Sequence, residues 1–326
     1  VVGKQRDATL DDVARLAGVS VATASRVLSG RGPASKAARH RVASAAAELH
    51  YVPHAAARAL ATRSGTRIAV VVGGQTAHVL NDPYVGRVVT ATAEVAAAHE
   101  VGVSLHWLPL HDPAELGRLA EHRGIGGIVL LNPTRPALDV VPKSARGRIA
   151  AIGIGSRDVP SFDVDNAAGT ASVVGHLFAG GRRRVAMITG APWLPCTERA
   201  VAAYRRVVDE AGAPPRLVPG DFTAARGEVA AAEIMTRWPD TDAVFALGDL
   251  SALGALSALR RAGVDVPGDV AVAGFDDIAF AALSRLTTAT HPVEDIAAGA
   301  ATAVLDRRTT APLTRYPSTL VLRESA

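Results

Sequence analysis

Two short helical patterns open the chain, in the stretch LDDVARLAGVSVATASRVLSG at residues 10–30. Leu10, Val13, Ala14 and Ala17 fall on one helical face, and Ala24, Val27 and Leu28 on the inner face of a second helix. The pattern Thr9-x-x-Asp12 predicts an N-cap with a carboxylate in the first turn, where backbone N–H groups lack partners. Gly18 predicts a left-handed end to the first helix, and Ser20 a cap for the second. The outer face of the second helix carries Ala22, Ser25, Arg26 and Ser29, with Val21 exposed at its N-terminal end. A third helix is expected over residues 35–49, from Ser35 as cap through Val42, Ala46 and Leu49. Two short helices around a glycine turn, closed by a third, describe a helix-turn-helix unit or a plain helical hairpin.

From residue 66 the pattern changes to apolar runs alternating with helical stretches. The runs RIAVVV, VSLHWL, GIVLL, IAAIGI, VAMITG, RLVPG, AVFAL and VAVAGF read as strands. Helical periodicity lies between them at residues 86–100, 167–180, 199–212, 224–237 and 250–262. Such alternation predicts doubly wound parallel sheets, and about 260 residues suffice for two subdomains with a ligand cleft at their strand ends.

Composition narrows the class. Hydrophobic residues make up 48% of the 326 and charged residues 20%, as in a soluble globular protein. No apolar run reaches bilayer length, and the first ten residues lack a secretory core, so a cytoplasmic protein with no membrane partner is expected. Cys196 is the only cysteine, which excludes an intrachain disulfide and a cysteine-rich metal site. Charge is unevenly spread: residues 1–65 carry ten Lys/Arg against four Asp/Glu, whereas the rest carries 25 against 27. A small basic module on a nearly neutral body fits a nucleic-acid-binding head.

The stretch TLDDVARLAGVSVATASRVLSG, followed by ASKAARHRVASAAAELHYVPHAAARALAT, resembles the head and hinge of the LacI/GalR family of bacterial transcriptional regulators. DVARLAGVS, SRVL and the Y-x-P-x-x-x-A-R-x-L of Tyr51 to Leu60 carry most of the resemblance. It implies an N-terminal all-α helix-turn-helix head joined to an α/β periplasmic-binding-protein-like body of two doubly wound parallel-sheet subdomains. The expected boundaries are 1–52 for the head, 53–65 for the hinge and 66–326 for the body. Within the body, 66–163 with 291–316 would form one subdomain, and 164–290 with 317–326 the other.

The implied partner is double-stranded operator DNA, near-palindromic and bound by a homodimer that acts as a repressor. The second helix would enter the major groove, with Val21 and Ala22 at specificity positions and Arg26 as the long-reaching base contact. Arg26 has the donors to hold guanine O6 and N7, whereas Val21 and Ala22 offer only apolar contact or exclusion. Thr9, Ser20, Thr23, Ser25 and Ser35 would donate to phosphates, although Thr9 and Ser20 serve as caps in either case. Leu10, Ser29, Tyr51, His54 and Ala57 complete the expected DNA-facing set. Leu60 holds the position of a leucine that wedges into the minor groove; a solvent-exposed linker with an incidental leucine is the plainer reading.

The implied effector is a small molecule, a sugar or a nucleoside, held between the subdomains. Phe222 fits a ring that stacks on the ligand and equally a buried loop aromatic. Asp276 in AGFDDI fits a carboxylate that accepts ligand hydrogens, and Tyr84 the cleft entrance. Asp165 and Asp249 are acidic positions near the cleft that also suit helix caps, and for Asp249 the structural role is favoured. Two departures stand out: Ala200 lies four residues before Tyr204, where the family places an arginine and Arg199 is one position off, and Gly248 stands where many sugar-binding members carry Asn or Asp. No catalytic constellation is present: G-x-S-x-G, P-loop, H-E-x-x-H and G-x-G-x-x-G are all missing. No enzyme activity, cofactor or metal is therefore expected. The competing class, a solute-binding protein of the same body fold, would have no use for residues 9–62.

Overall fold

The computed structural model describes residues 8–28, 33–51, 65–307 and 311–326. They form two compact units, Val1–Thr66 and Arg67–Ala326.

The head consists of α1 (Leu10–Ala17), α2 (Val21–Leu28) and α3 (Lys36–Glu48). Thr9 and Asp12 close a capping box: the Asp12 N–H donates to Thr9 Oγ1 at 3.3 Å, and the Thr9 N–H donates to Asp12 Oδ2 at 3.0 Å. Gly18 adopts φ 59°, a left-handed turn that lets the Val19 N–H reach the Ala14 carbonyl at 3.0 Å. Ser20 accepts from the Thr23 N–H at 3.2 Å, and Ser35 from the Ala38 N–H at 3.2 Å. Val13, Ala14, Ala17, Ala24, Val42 and Ala45 are buried together. Four alanines among six core residues let the three helices approach closely. Arg41 ties α3 to the end of α1 through the Ala17 carbonyl at 3.0 Å.

The body holds two parallel sheets. The first contains β1 (Arg67–Gly74), β2 (Gly102–Pro109), β3 (Ile125–Leu131), β4 (Ile149–Ile152), β5 (Ser161–Val164) and β11 (Leu313–Tyr316), in the order β11-β5-β4-β3-β1-β2. The second contains β6 (Val185–Ile188), β7 (Arg216–Val218), β8 (Ala243–Ala246) and β9 (Ala271–Ala273), in the order β7-β6-β8-β9. A small antiparallel pair, β10 (Thr288–Thr290) with β12 (Thr319–Val321), completes the strands described. Strands β1, β3, β4, β6 and β8 are buried on both faces, which is why they read as unbroken apolar runs.

Helices cover both sheets: α4 (Pro83–Ala98), α5 (Ala114–Glu121), α6 (Arg135–Asp139), α7 (Asn166–Ala179), α8 (Pro195–Glu210), α9 (Ala224–Arg237), α10 (Asp249–Arg261), α11 (Ala279–Leu283) and α12 (Val293–Leu305). Two of them begin earlier than periodicity suggests. Pro83 and Pro195 occupy the first helical turn, where a missing N–H costs nothing. Helix α12 packs its Ile296, Ala297 and Ala300 face on the first sheet, so the chain returns there after building the second half. It crosses between the halves after β5, before α12 and between β11 and β12. Tyr204 anchors α8: fully buried, its hydroxyl donates to the Val185 carbonyl at 2.8 Å and accepts the Arg216 N–H at 2.9 Å. No described helix is long and apolar enough to cross a membrane.

Candidate functional site

The outer side of α2 is exposed. Val21 is 41% exposed, and Ala22 and Arg26 are exposed beside it, whereas Thr23 and Ser25 are half-buried. The Arg26 guanidinium lies back along its own helix, donating to the Ala22 carbonyl at 3.1 Å and to Thr23 Oγ1 at 3.4 Å. A base contact would exchange these local bonds for charge-assisted ones to guanine. Thr9, Ser20 and Ser35 all sit at helix N-termini, where their hydroxyls accept backbone N–H groups. Leu10 and Tyr51 are half-buried against the head's core. Ser29, His54, Ala57, Leu60 and the hinge before residue 65 lie outside the described residues.

The cleft of the body, about 600 Å³, opens at the carboxyl ends of the parallel strands. Its walls come from the ends of β1, β3, β4 and β5 on one side and from the loops after β6, β7, β8 and β9 on the other. Of the six effector positions expected from sequence, Tyr84, Phe222 and Asp276 line it. Asp165, Arg199 and Asp249 do not. Asp165 caps α7, accepting the Ala168 N–H at 2.9 Å, so its carboxylate is spent on a helix end. Arg199 is drawn under the cleft by Asp163 at 3.0 Å and Asn166 Oδ1 at 2.9 Å. Asp249 is 1% exposed and accepts from the Ile278 N–H at 2.9 Å and Thr288 Oγ1 at 2.6 Å, which joins β10 to the start of α10.

Several lining residues carry no local sequence signal. Trp193 follows β6, Asn132 follows β3 and His291 lies between β10 and α12, so they meet only through the fold. The signal that would have found them is position, since each follows the end of a strand. Asp163, Asn166, Asp221 and Asp82 add carboxylate and amide oxygens to the wall. No Lys or Arg is among the residues that line the cleft, and no described group of His, Cys, Asp and Glu is arranged to hold a metal ion.

The electrostatics follow from burial. Loss of hydration raises the Asp276 carboxyl well above the usual carboxylate range; the nearby charges of Asp249 and Asp82 add to this and Arg87 opposes it. Burial likewise raises Asp82 and Tyr84. It pushes the Cys196 thiol up to about 11, so that thiol remains protonated and unreactive. His291, 5% exposed between the rings of Tyr84 and Phe275, is pushed down to about 4 by burial, helped by Arg87. It is therefore neutral at pH 7.

A basic three-helix head and an α/β body closed around a polar, aromatic cleft define a ligand-responsive DNA-binding regulator. Comparison with known proteins agrees. Residues 9–54 match the family described as bacterial regulatory proteins, lacI family, and residues 174–326 match the periplasmic binding protein-like domain. The HTH-type transcriptional regulator CelR of Thermobifida fusca is 35% identical, with 99% of each chain covered. GalR of Escherichia coli (strain K12) is 32% identical over 98% of this chain and 95% of its own length. The solved structure of the CelR–cellobiose complex superimposes with a TM-score of 0.73 at 29% identity, covering 98% of this chain and all 100% of its own. The lac repressor dimer bound to operator and the anti-inducer ONPF gives 0.84 at 23% identity, a likeness of fold, over 98% of this chain and 99% of its own. This chain belongs to the LacI family: it is a DNA-binding transcriptional regulator with an effector-binding, periplasmic-binding-protein-like body. Residues 9–54 set aside the solute-binding reading, and the relatives named are transcriptional regulators.

Proposed function

We propose that the protein is a cytoplasmic homodimeric repressor whose grip on a near-palindromic operator is set by a neutral, unphosphorylated saccharide of one or two rings. One observation carries the ligand class: the cleft wall combines four aspartates (Asp82, Asp163, Asp221 and Asp276) with the rings of Trp193 and Phe222 and contains no Lys or Arg. Carboxyl and amide oxygens accept hydrogens from sugar hydroxyls, whereas a phosphate would find no Lys or Arg among the lining residues to pair with. Aromatic rings cover the apolar C–H faces of a pyranose. The cleft volume falls within the range of small-molecule sites. The CelR relative, solved with cellobiose, makes a β-linked disaccharide the first compound to try.

In this reading residues 1–52 hold DNA, 53–65 couple head to body, and 66–326 bind ligand and partner subunit. Arg26 reads a base edge, the hydroxyls at Thr9, Ser20 and Ser35 hold phosphates, and Leu60 is the minor-groove wedge. Exposed Leu105, Val229, Phe280 and Leu283 supply apolar surface for a second copy. The protein acts by binding rather than by catalysis.

Calorimetric titration tests the ligand class with cellobiose, glucose, adenosine and glucose 6-phosphate. A neutral saccharide should bind, and glucose 6-phosphate should not. Preferential binding of the phosphorylated sugar or the nucleoside would overturn the assignment.

A further inference from the structure

Phe222 occupies an unusual seat. Its backbone adopts φ 72°, a left-handed conformation that a bulky residue enters only when its surroundings hold it there. Two glycines from different loops form the floor beneath its ring. Gly190 follows β6 and Gly248 follows β8. A Cβ built on Gly190 would run into Phe222 Cζ and lie 2.8 Å from Cε1. A Cβ on Gly248 would lie 2.9 Å from Cδ1 of the same ring. The three atoms Cδ1, Cε1 and Cζ make up one edge. The ring therefore stands with that edge set into a slot between two bare backbones, and its opposite edge points away from both glycines.

The slot also bears on the polar grip expected at position 248. A Cβ there would lie 3.9 Å from Asp276 Oδ2, so a longer polar side chain would project between the aromatic ring and the cleft carboxylate. Phe222 and a side chain at 248 compete for one volume, and in this chain the ring holds it.

We infer that Gly190 and Gly248 are specificity-determining positions: their missing side chains seat Phe222 as an aromatic wall for the apolar face of the ligand, in place of a polar side chain reaching from position 248. This rests on the neutral-saccharide reading of the cleft. It follows that this cleft discriminates by the shape of a sugar face, with Asp276 supplying the adjacent hydroxyl acceptor. Ligands whose hydroxyls all lie equatorial expose the flattest C–H faces and should be preferred over epimers with an axial hydroxyl on the stacked side.

Gly190→Ala is the cleaner probe, because Gly248 sits at φ 143°, where any side chain is strained, whereas Gly190 is outside the positive-φ region. A Cβ at 190 would also approach Thr197 Oγ1 at 2.6 Å, so the ring's share has to be isolated with a double-mutant cycle. The experiment compares the parent, Gly190→Ala, Phe222→Ala and the double variant in two measurements: thermal midpoint without ligand, and cellobiose affinity by calorimetry. The midpoint should drop in Gly190→Ala and recover in part when Phe222 is also removed. Cellobiose affinity should fall about tenfold in Gly190→Ala, with the double variant no weaker than Phe222→Ala alone. Additive midpoint changes would show that the ring does not fill the slot and would overturn the seat. Coupled midpoints with unchanged cellobiose affinity would overturn the specificity role. A parent that binds no neutral saccharide would overturn the ligand reading instead, while the ligand-free cycle still decides the seat.

Discussion

Arg87 donates to the backbone carbonyl of Asp276 at 3.1 Å, and its other guanidinium nitrogens hold Glu294 at 2.8 and 2.9 Å. Arg87 and Glu294 belong to helices packed on the first sheet, whereas Asp276 follows the last strand of the second. Asp276, which lines the cleft, is thus tied through its backbone to the opposite half of the body.

Removing that tie should loosen the ligand. Arg87→Ala leaves the Asp276 carbonyl without its charged donor, a loss of about 1.5–3 kcal/mol for such a bond. Cellobiose affinity is expected to drop by about tenfold or more, measured by calorimetry at pH 7. Parent-like affinity in this variant would remove the tie from the account.

Asp249 should set a pH dependence of stability. Burial raises its carboxyl to about 7 from 3.8, the hydrogen bonds from Thr288 and Ile278 oppose the rise, and the Asp277 charge adds to it. The folded form therefore keeps a proton that the unfolded chain gives up near pH 4. The stability gained from that proton is fully present below the unfolded value and is lost as pH rises toward 7. Asp249→Asn, which stays neutral, should show a flatter urea-denaturation profile between pH 4 and pH 7. The difference from the parent should grow to a few kcal/mol at most. Parallel profiles would mean that Asp249 is ionised throughout.

In the head, Arg26 should carry base discrimination. Arg26→Ala is expected to narrow the gap between the best operator and its single-base variants by about 1–3 kcal/mol at one base pair in each half-site. Weak binding to unrelated DNA should remain, with its steep salt dependence. Selectivity equal to the parent's, measured by anisotropy across operator variants, would assign base reading to other residues.

Much of the fold could be read locally. Thr9, Gly18 and Ser35 mark helix ends by chemistry that involves only their near neighbours, and strands buried on both faces announce themselves as Val- and Ile-rich runs. Strands β5, β10, β11 and β12 were not legible, because each is only three or four residues long and defined by its pairing partner rather than by its own pattern. In the cleft, Phe222, Tyr84 and Asp276 followed from motif context. Asp165 could not be told from a ligand carboxylate, since a helix cap and a ligand acceptor both call for an acid just after a strand. For Asp249 the sequence favours the structural role, and its bonds to Ile278 and Thr288 agree with it. Trp193, Asn132 and His291 come from three distant loops, and only the sheet topology brings them to one wall.

The central claim is that a neutral saccharide in the cleft controls the head's hold on DNA, which requires the ligand to favour one state of the protein over the other. The direct measurement is operator affinity by fluorescence anisotropy, on a duplex selected from random sequence, with cellobiose or glucose 6-phosphate at saturating concentration. Cellobiose should change the operator dissociation constant by about 5- to 150-fold, and glucose 6-phosphate should leave it unchanged. An operator affinity that stays constant while cellobiose fills the cleft would contradict it.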